Sequence, residues 1–165
     1  QMPNWCSNEL TVAHPDPAKL QEFVDAYNAG RMCRHFHAQP AHLPAGKVLG
    51  LPDGTPVTTM SEDEWQWRVA NWGTKWDINP PYPAKIDDNQ VTVGFDSAWS
   101  PPIGVYEALE TQGYRVDAMY FEPGCDFCGA YKDGEDEEWS CRDYAVPAAI
   151  RTAFDFHSFF SEDDG

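Results

Sequence analysis

Basic residues are scarce in this chain. Its 11 lysines and arginines face 27 aspartates and glutamates, for a formal charge of −16. Direct nucleic-acid binding needs cations that displace phosphate counterions, so no direct nucleic-acid contact is expected and basic partners are favoured. No apolar run approaches the roughly 18 residues of a membrane span, which excludes a transmembrane helix. The five cysteines (Cys6, Cys33, Cys125, Cys128, Cys141) form no even framework, and no basic stretch followed by an apolar run precedes them. A cytoplasmic setting is therefore expected. Met2, behind Gln1, reads as the natural start. The phosphate loops G-x-x-x-x-G-K-S/T and G-x-G-x-x-G are missing, as are the G-x-S-x-G elbow and H-E-x-x-H, so no catalytic residues are assigned.

What is present is ample material for a core. Of the 165 residues 42% are apolar and 14% aromatic, which fits one folded domain, residues 2–160, with an acidic tail at 161–165. The charge is uneven. Residues 1–60 hold five acids and four bases, and residues 61–165 hold 22 acids and seven bases, so −15 of the −16 lies after residue 60.

NELTVAH (8–14) alternates as a strand, and Asp16 with Pro17 opens a helix to about residue 29 whose Leu20, Phe23, Val24 and Tyr27 share one face. Residues 31–60 hold too many breakers for a regular element and read as a long loop, a candidate contact surface. Ser61 and Glu64 make a capping box for a helix to Asn71, with Trp65, Val69 and Trp72 on one face. VTVGFDSAW (91–99) is a strand in which Gly94 suggests a bulge, and Ser100, Pro101 and Pro102 open a helix to Gly113. Segments 114–122, 127–132 and 137–144 form an antiparallel meander, and Pro147 opens a last helix that covers the sheet. The order predicts an α+β fold: a ferredoxin-like split βαβ with an antiparallel sheet, helices on one face, and an added C-terminal β-meander and helix.

Four stretches say more than periodicity does: MPNWCSN (2–8), NWGTKWD (71–77), FDSAWSPP (95–102) and YFEPGCDFCG (120–129). In this order they resemble the Api92-like family, with its YubB-type ferredoxin-like domain, from Met2 to about residue 143. The resemblance implies a ferredoxin-like fold and an origin in plasmids, phages or integrated elements. It implies no activity and no catalytic set. The chain departs from the family's pattern at 31–60, where a shorter run ending near a Pro-Met-Pro turn is expected.

Within NWGTKWD, Asn71 and Gly73 suit a helix end, and Trp5, Trp72, Trp76 and Trp99 are expected to pack the helices on the sheet. The acidic meander supplies the candidate partner surface: Asp117, Asp126, Asp133, Glu135, Asp136, Glu137, Glu138 and Asp143, with Glu122 among them, several lining one side of a hairpin. Carboxylates fixed along a sheet imitate the phosphate row of a duplex. The expected function is a non-enzymatic counter-defence protein of a mobile element. Such an anti-CRISPR or anti-restriction inhibitor, a nucleic-acid mimic, blocks a basic nucleic-acid-binding host complex.

The alternative is a small-molecule-binding protein or enzyme whose pocket is built by NWGTKWD, AWSPP and YFEPG, with Lys75, Asp77 and Glu122 as polar groups. Asp77, Asp96 and Glu122, at element ends, are candidates for paired carboxylates. Cys125 and Cys128 have the spacing of a zinc knuckle, to which Cys141 and one of His35, His37 or His42 add further ligands. A second close pair is missing, so no cofactor is assigned and zinc stays the alternative. A free sheet edge would admit a homodimer.

Overall fold

Alternation decides the sheet. In the computed structural model, which describes residues 4–160, β1 (Trp5–Ala13) lies inside the sheet, hydrogen-bonded on one side to β4 (Gln90–Ala98) and on the other to β5 (Arg115–Glu122). β6 (Phe127–Lys132) and β7 (Glu135–Trp139) extend it to the order β4-β1-β5-β6-β7, every neighbouring pair antiparallel. The product is a mixed α/β architecture. Leu10, Val93, Ala118 and Tyr131 sit side by side across four strands, with Val12, Val91 and Val116 in the next row. All seven are buried, and each fully buried Leu or Val contributes about 1.5–3 kcal/mol. Register runs unbroken through the Gly94–Glu9 pair, so Gly94 makes no bulge.

Helices α1 (Pro17–Asn28) and α4 (Ile103–Thr111) cover this face. Asp16 caps α1 by accepting from the Ala18 amide, and Leu20, Phe23, Val24 and Tyr27 turn inward as their spacing predicts. The α4 crossover joins β4 to β5, which run parallel on either side of β1.

The structure departs from sequence expectation in further places. Residues 31–60 are not one loop: α2 (Met32–Phe36) buries Met32, Cys33 and Phe36, and β2 (Val48–Gly50) pairs with β3 (Pro56–Thr58) in an exposed hairpin. The helix α3 (Glu62–Asn71) has the expected capping box, but leaves Trp65 and Val69 exposed and buries Arg68. That burial is tolerated because the Arg68 guanidinium donates to Gln39 Oε1 at 2.9 Å and the Lys75 carbonyl at 3.3 Å, meets Glu64 at 3.6 Å and lies 5.0 Å from the Trp72 ring centre.

The third meander strand starts at Glu135, because Asp133 and Gly134, both at positive φ, make a two-residue turn. The last helix divides into α5 (Ala148–Ala153) and α6 (Phe156–Phe159), broken at Asp155 in the left-handed region. These two do not join the other helices. They pack on the opposite face, around Phe121, whose ring centre lies 4.6 Å from that of Phe156 and 5.7 Å from that of Phe154. Helices thus flank both faces of the sheet. The tail at 161–165 lies outside the described residues.

Candidate functional site

Two surfaces stand out, at opposite edges of the sheet. At the β4 edge, NWGTKWD turns back under the end of the strand. Trp72 is fully buried, its indole Nε1 donating to the His37 carbonyl at 2.6 Å. Gly73 follows at φ +93°, where a Cβ would come within 2.7 Å of the Pro101 carbonyl oxygen, so glycine is required there. Thr74 donates to the Ala98 carbonyl at 3.0 Å, and the Ser100 hydroxyl donates to the Gly73 carbonyl. Asp77 reaches across 44 positions to accept from the Cys33 amide at 2.8 Å, and from that of Arg34 at 3.0 Å, capping α2.

So fastened from below, the corner presents its other rings to solvent. Trp5, Trp65, Trp76 and Trp99 keep 43%, 44%, 38% and 43% of their surface exposed. The burial expected for Trp5, Trp76 and Trp99 is therefore corrected; Trp72 alone has it. Trp99 adopts φ +71°, and the Ser100 amide closes back on the Ala98 carbonyl at 2.8 Å. This is a γ-turn of the rare positive-φ kind, a conformation that costs a bulky residue on the order of 1–3 kcal/mol.

Two clefts meet on Ala98. One, of about 430 Å³, lies between Trp5 and Trp76, with Asp77, Asn79, Asp96 and Ser97 around it. The other, of about 330 Å³, is lined by Trp65, Val69, Lys75 and Trp99. Lys75 Nζ stands 4.5 Å from the Trp76 ring centre, and the Trp5 and Trp76 centres are 5.9 Å apart.

Of the polar groups expected in a pocket, Lys75 and Asp77 reach these clefts and Glu122 does not. Glu122 is buried, accepting from the Gly124 and Cys125 amides at 2.8 and 2.7 Å to hold its own turn. Asp77, Asp96 and Glu122 therefore form no carboxylate pair: two hold backbone amides and the third stands at the cleft rim. Sequence reasoning missed Trp65, Val69 and Asn79 as cleft residues. The signal for Trp65 and Val69 was the Glu64 to Arg68 spacing, which pairs acid and base on the buried side of α3 and turns the apolar stripe outward; Asn79 had none.

At the other edge, β7 reads Glu135, Asp136, Glu137, Glu138, Trp139. The four carboxylate residues are exposed, and among the described residues none forms an ion pair. They do not line one side. Strand alternation sends Asp136 and Glu138 to the face of Tyr131 and Gly129, and Glu135 and Glu137 to the face of Lys132 and Ala130. Tyr120 donates to Asp136 Oδ1 at 2.6 Å, and burial followed by that bond pushes its phenol well up. Asp117 meets Lys132 at 3.9 Å, Asp126 accepts from Ser140 and the Cys141 amide, Asp143 accepts from the Ala145 amide, and Asp133 forms the turn. The acidic row without ion pairs is therefore β7 itself, with Asp136 held by Tyr120.

Of the three cysteines considered for zinc, Cys128 and Cys141 meet each other and Cys125 stands apart. Cys125 is exposed and touches Asn4, whereas Cys128 and Cys141 are buried under α5. Among the described residues no group of three or more His, Cys, Asp or Glu side chains is arranged to hold a metal. Burial pushes the Cys141 thiol up to about 12 and raises that of Cys128, and a hydrogen bond with Glu122 raises that of Cys125. Such thiols are held neutral and are poor nucleophiles. His35 meets Glu22 at 2.8 Å and His37 stacks on Trp67. Among the described residues no helix is long and apolar enough to cross a membrane.

No protein-family model matches the chain, and neither a curated protein nor a solved structure matches it. The family resemblance rests on the four motifs themselves.

Proposed function

We propose that this chain is a non-enzymatic, acidic binding protein that occupies the cationic surface of a nucleic-acid-handling partner. The observation that carries this reading is β7: four successive carboxylate residues on an edge strand, exposed on both faces and balanced by no ion pair. Fixed on a hairpin, they project a field that reaches a basic channel before contact. The exposed β2–β3 hairpin, with Val48, Leu49 and Val57 open to solvent, supplies apolar contact area beside that attraction. The motifs' resemblance to proteins of mobile elements favours a host defence complex, CRISPR or restriction, in the host cytoplasm, as that partner. The parallel strands β4 and β5 around β1, joined by α4, support the split βαβ reading of the fold. One such unit is present; β1 and β4, linked through α1 to α3, are adjacent and antiparallel.

The test is a tagged pull-down from the native host's lysate at low salt, and at about three times physiological ionic strength, where screening shortens to several ångströms. A defence complex that salt releases, and that the combined Glu135→Lys, Asp136→Lys, Glu137→Lys and Glu138→Lys variant fails to recover, is the expected outcome. Unchanged recovery by that folded variant at low salt defeats the reading.

A second reading is favoured by one observation: MPNWCSN, NWGTKWD and AWSPP, distant in sequence, meet at the tryptophan clefts. On this reading the corner is a ligand-binding surface.

A further inference from the structure

We infer that the Trp5–Trp76 cleft binds the cationic side chain of an arginine or lysine from a basic polypeptide. A nearby apolar residue of the same segment then sits against Trp65, Val69 and Trp99. This rests on the second reading above and names its ligand.

The cleft's chemistry selects for positive charge. Its walls are two indole rings with centres 5.9 Å apart and planes inclined at 43°, a wedge open to solvent. Asp96 stands at the rim, on the strand face that also carries Trp5, and among the described residues its carboxylate makes no hydrogen bond or ion pair. Asp77, the second acid of the lining, is already committed to the amides of α2 and to the Arg34 guanidinium at 3.8 Å, so Asp96 is the acid left to the ligand. No lysine, arginine or histidine lines the cleft. A cation over an indole face is attracted by the ring's negative face, more strongly as water is displaced, and a carboxylate beside it adds a charge-assisted hydrogen bond. A neutral group forgoes both, and an anion is repelled. The chain's net charge of −16 acts in the same direction at long range. The Trp76 ring already holds one ammonium, that of Lys75, which lines the adjoining cleft.

Shape points to a polypeptide as the source. The two clefts share Ala98 in their walls, the first acidic and aromatic, the second mostly apolar. A single guanidinium occupies only part of one of them; a segment with a basic and an apolar side chain reaches into both. Exposed tryptophans of this kind dominate binding energy where they meet a partner. The strained turn at Trp99 holds one of these rings at the second cleft, so the surface is formed before the ligand arrives.

The experiment titrates the intact protein with an acetylated, amidated hexapeptide of alternating arginine and leucine, reading tryptophan fluorescence and heat at physiological salt. The same peptide with citrulline, arginine's neutral isostere, and free arginine methylamide serve as the other two probes. The arginine peptide is expected to bind about tenfold more tightly than the citrulline peptide. Asp96→Asn should erase most of that difference and Trp76→Ala most of the binding, with near-ultraviolet circular dichroism reporting the fold. Equal affinity for the arginine and citrulline peptides overturns the cation site. So does unchanged binding in folded Asp96→Asn. Free arginine methylamide binding as tightly as the peptide overturns the polypeptide source. The assay contains no host partner, so failure of the β7 reading leaves its result standing, and the reverse also holds.

Discussion

The two edges of the sheet are built on opposite terms. At β7 the strand is held by its ladder with β6 and little else, and what it exposes is charge. At the far end of β4 the chain is tied down by Trp72, Arg68, Thr74 and Asp77, and what it exposes is aromatic surface. Charge protects an edge without further structure, since like carboxylates keep a second β7 from pairing with it. Tryptophans give no such protection, and left unsupported they would collapse onto the nearest apolar neighbour. Their exposure has to be enforced by buried polar bonds beneath them.

The largest test of that difference is Trp72→Ala. It removes the floor of the aromatic corner and should cost about 3–5 kcal/mol, read as a loss in chemical denaturation. Trp76→Ala in the same assay should cost far less, since that ring is part-exposed. Equal losses would mean that the corner is ordinary core. The second test falls on the acidic edge. A Cβ at Gly129 would meet the Tyr120 ring at 2.3 Å and the Glu137 carbonyl at 2.5 Å, so Gly129→Ala should destabilise the hairpin by about 1–3 kcal/mol. Amide exchange should rise in β6 and β7 while NWGTKWD stays protected.

The smallest effect is at Glu64. Its carboxyl is held below its usual range by Gln39 first, then by the Ser61 amide and Arg68. A carboxyl whose folded pKa is depressed stabilises above its unfolded value of about 4.5 and loses that contribution as pH falls through the lower folded value. Glu64→Gln should therefore cost about 1 kcal/mol near neutral pH. The gap from the parent protein should close below pH 4 in thermal melts. A gap that persists at acid pH would show that capping geometry, not charge, fixes the helix beside the corner.

Much of the sheet was legible because alternation is local: Leu10, Val12, Val91, Val93 and Val116 announce their faces from spacing alone. α2 was not, because a five-residue helix owes its cap to Asp77, whose partners Cys33 and Arg34 lie over forty positions away. Nor was the direction of the tryptophans. Residue type says that Trp99 is costly to leave exposed, while a single positive φ, invisible in the sequence, decides that it is. The acidic row was legible in number and not in arrangement, since turn chemistry at Asp133 and Gly134 moved the strand start by two residues. Asp126 and Asp143 were spent on turns of their own.

The position of β1 between β4 and β5 also sets a timetable. Ser7 pairs with Asp96 on one side and with Phe121 on the other, 114 positions later. At about 5–20 residues per second, a ribosome needs roughly ten seconds to supply the second partner. Through that interval Leu10 and Val12 wait without their sheet. Long-range pairing of this kind slows folding and lengthens the time that apolar surface stays exposed in the nascent chain.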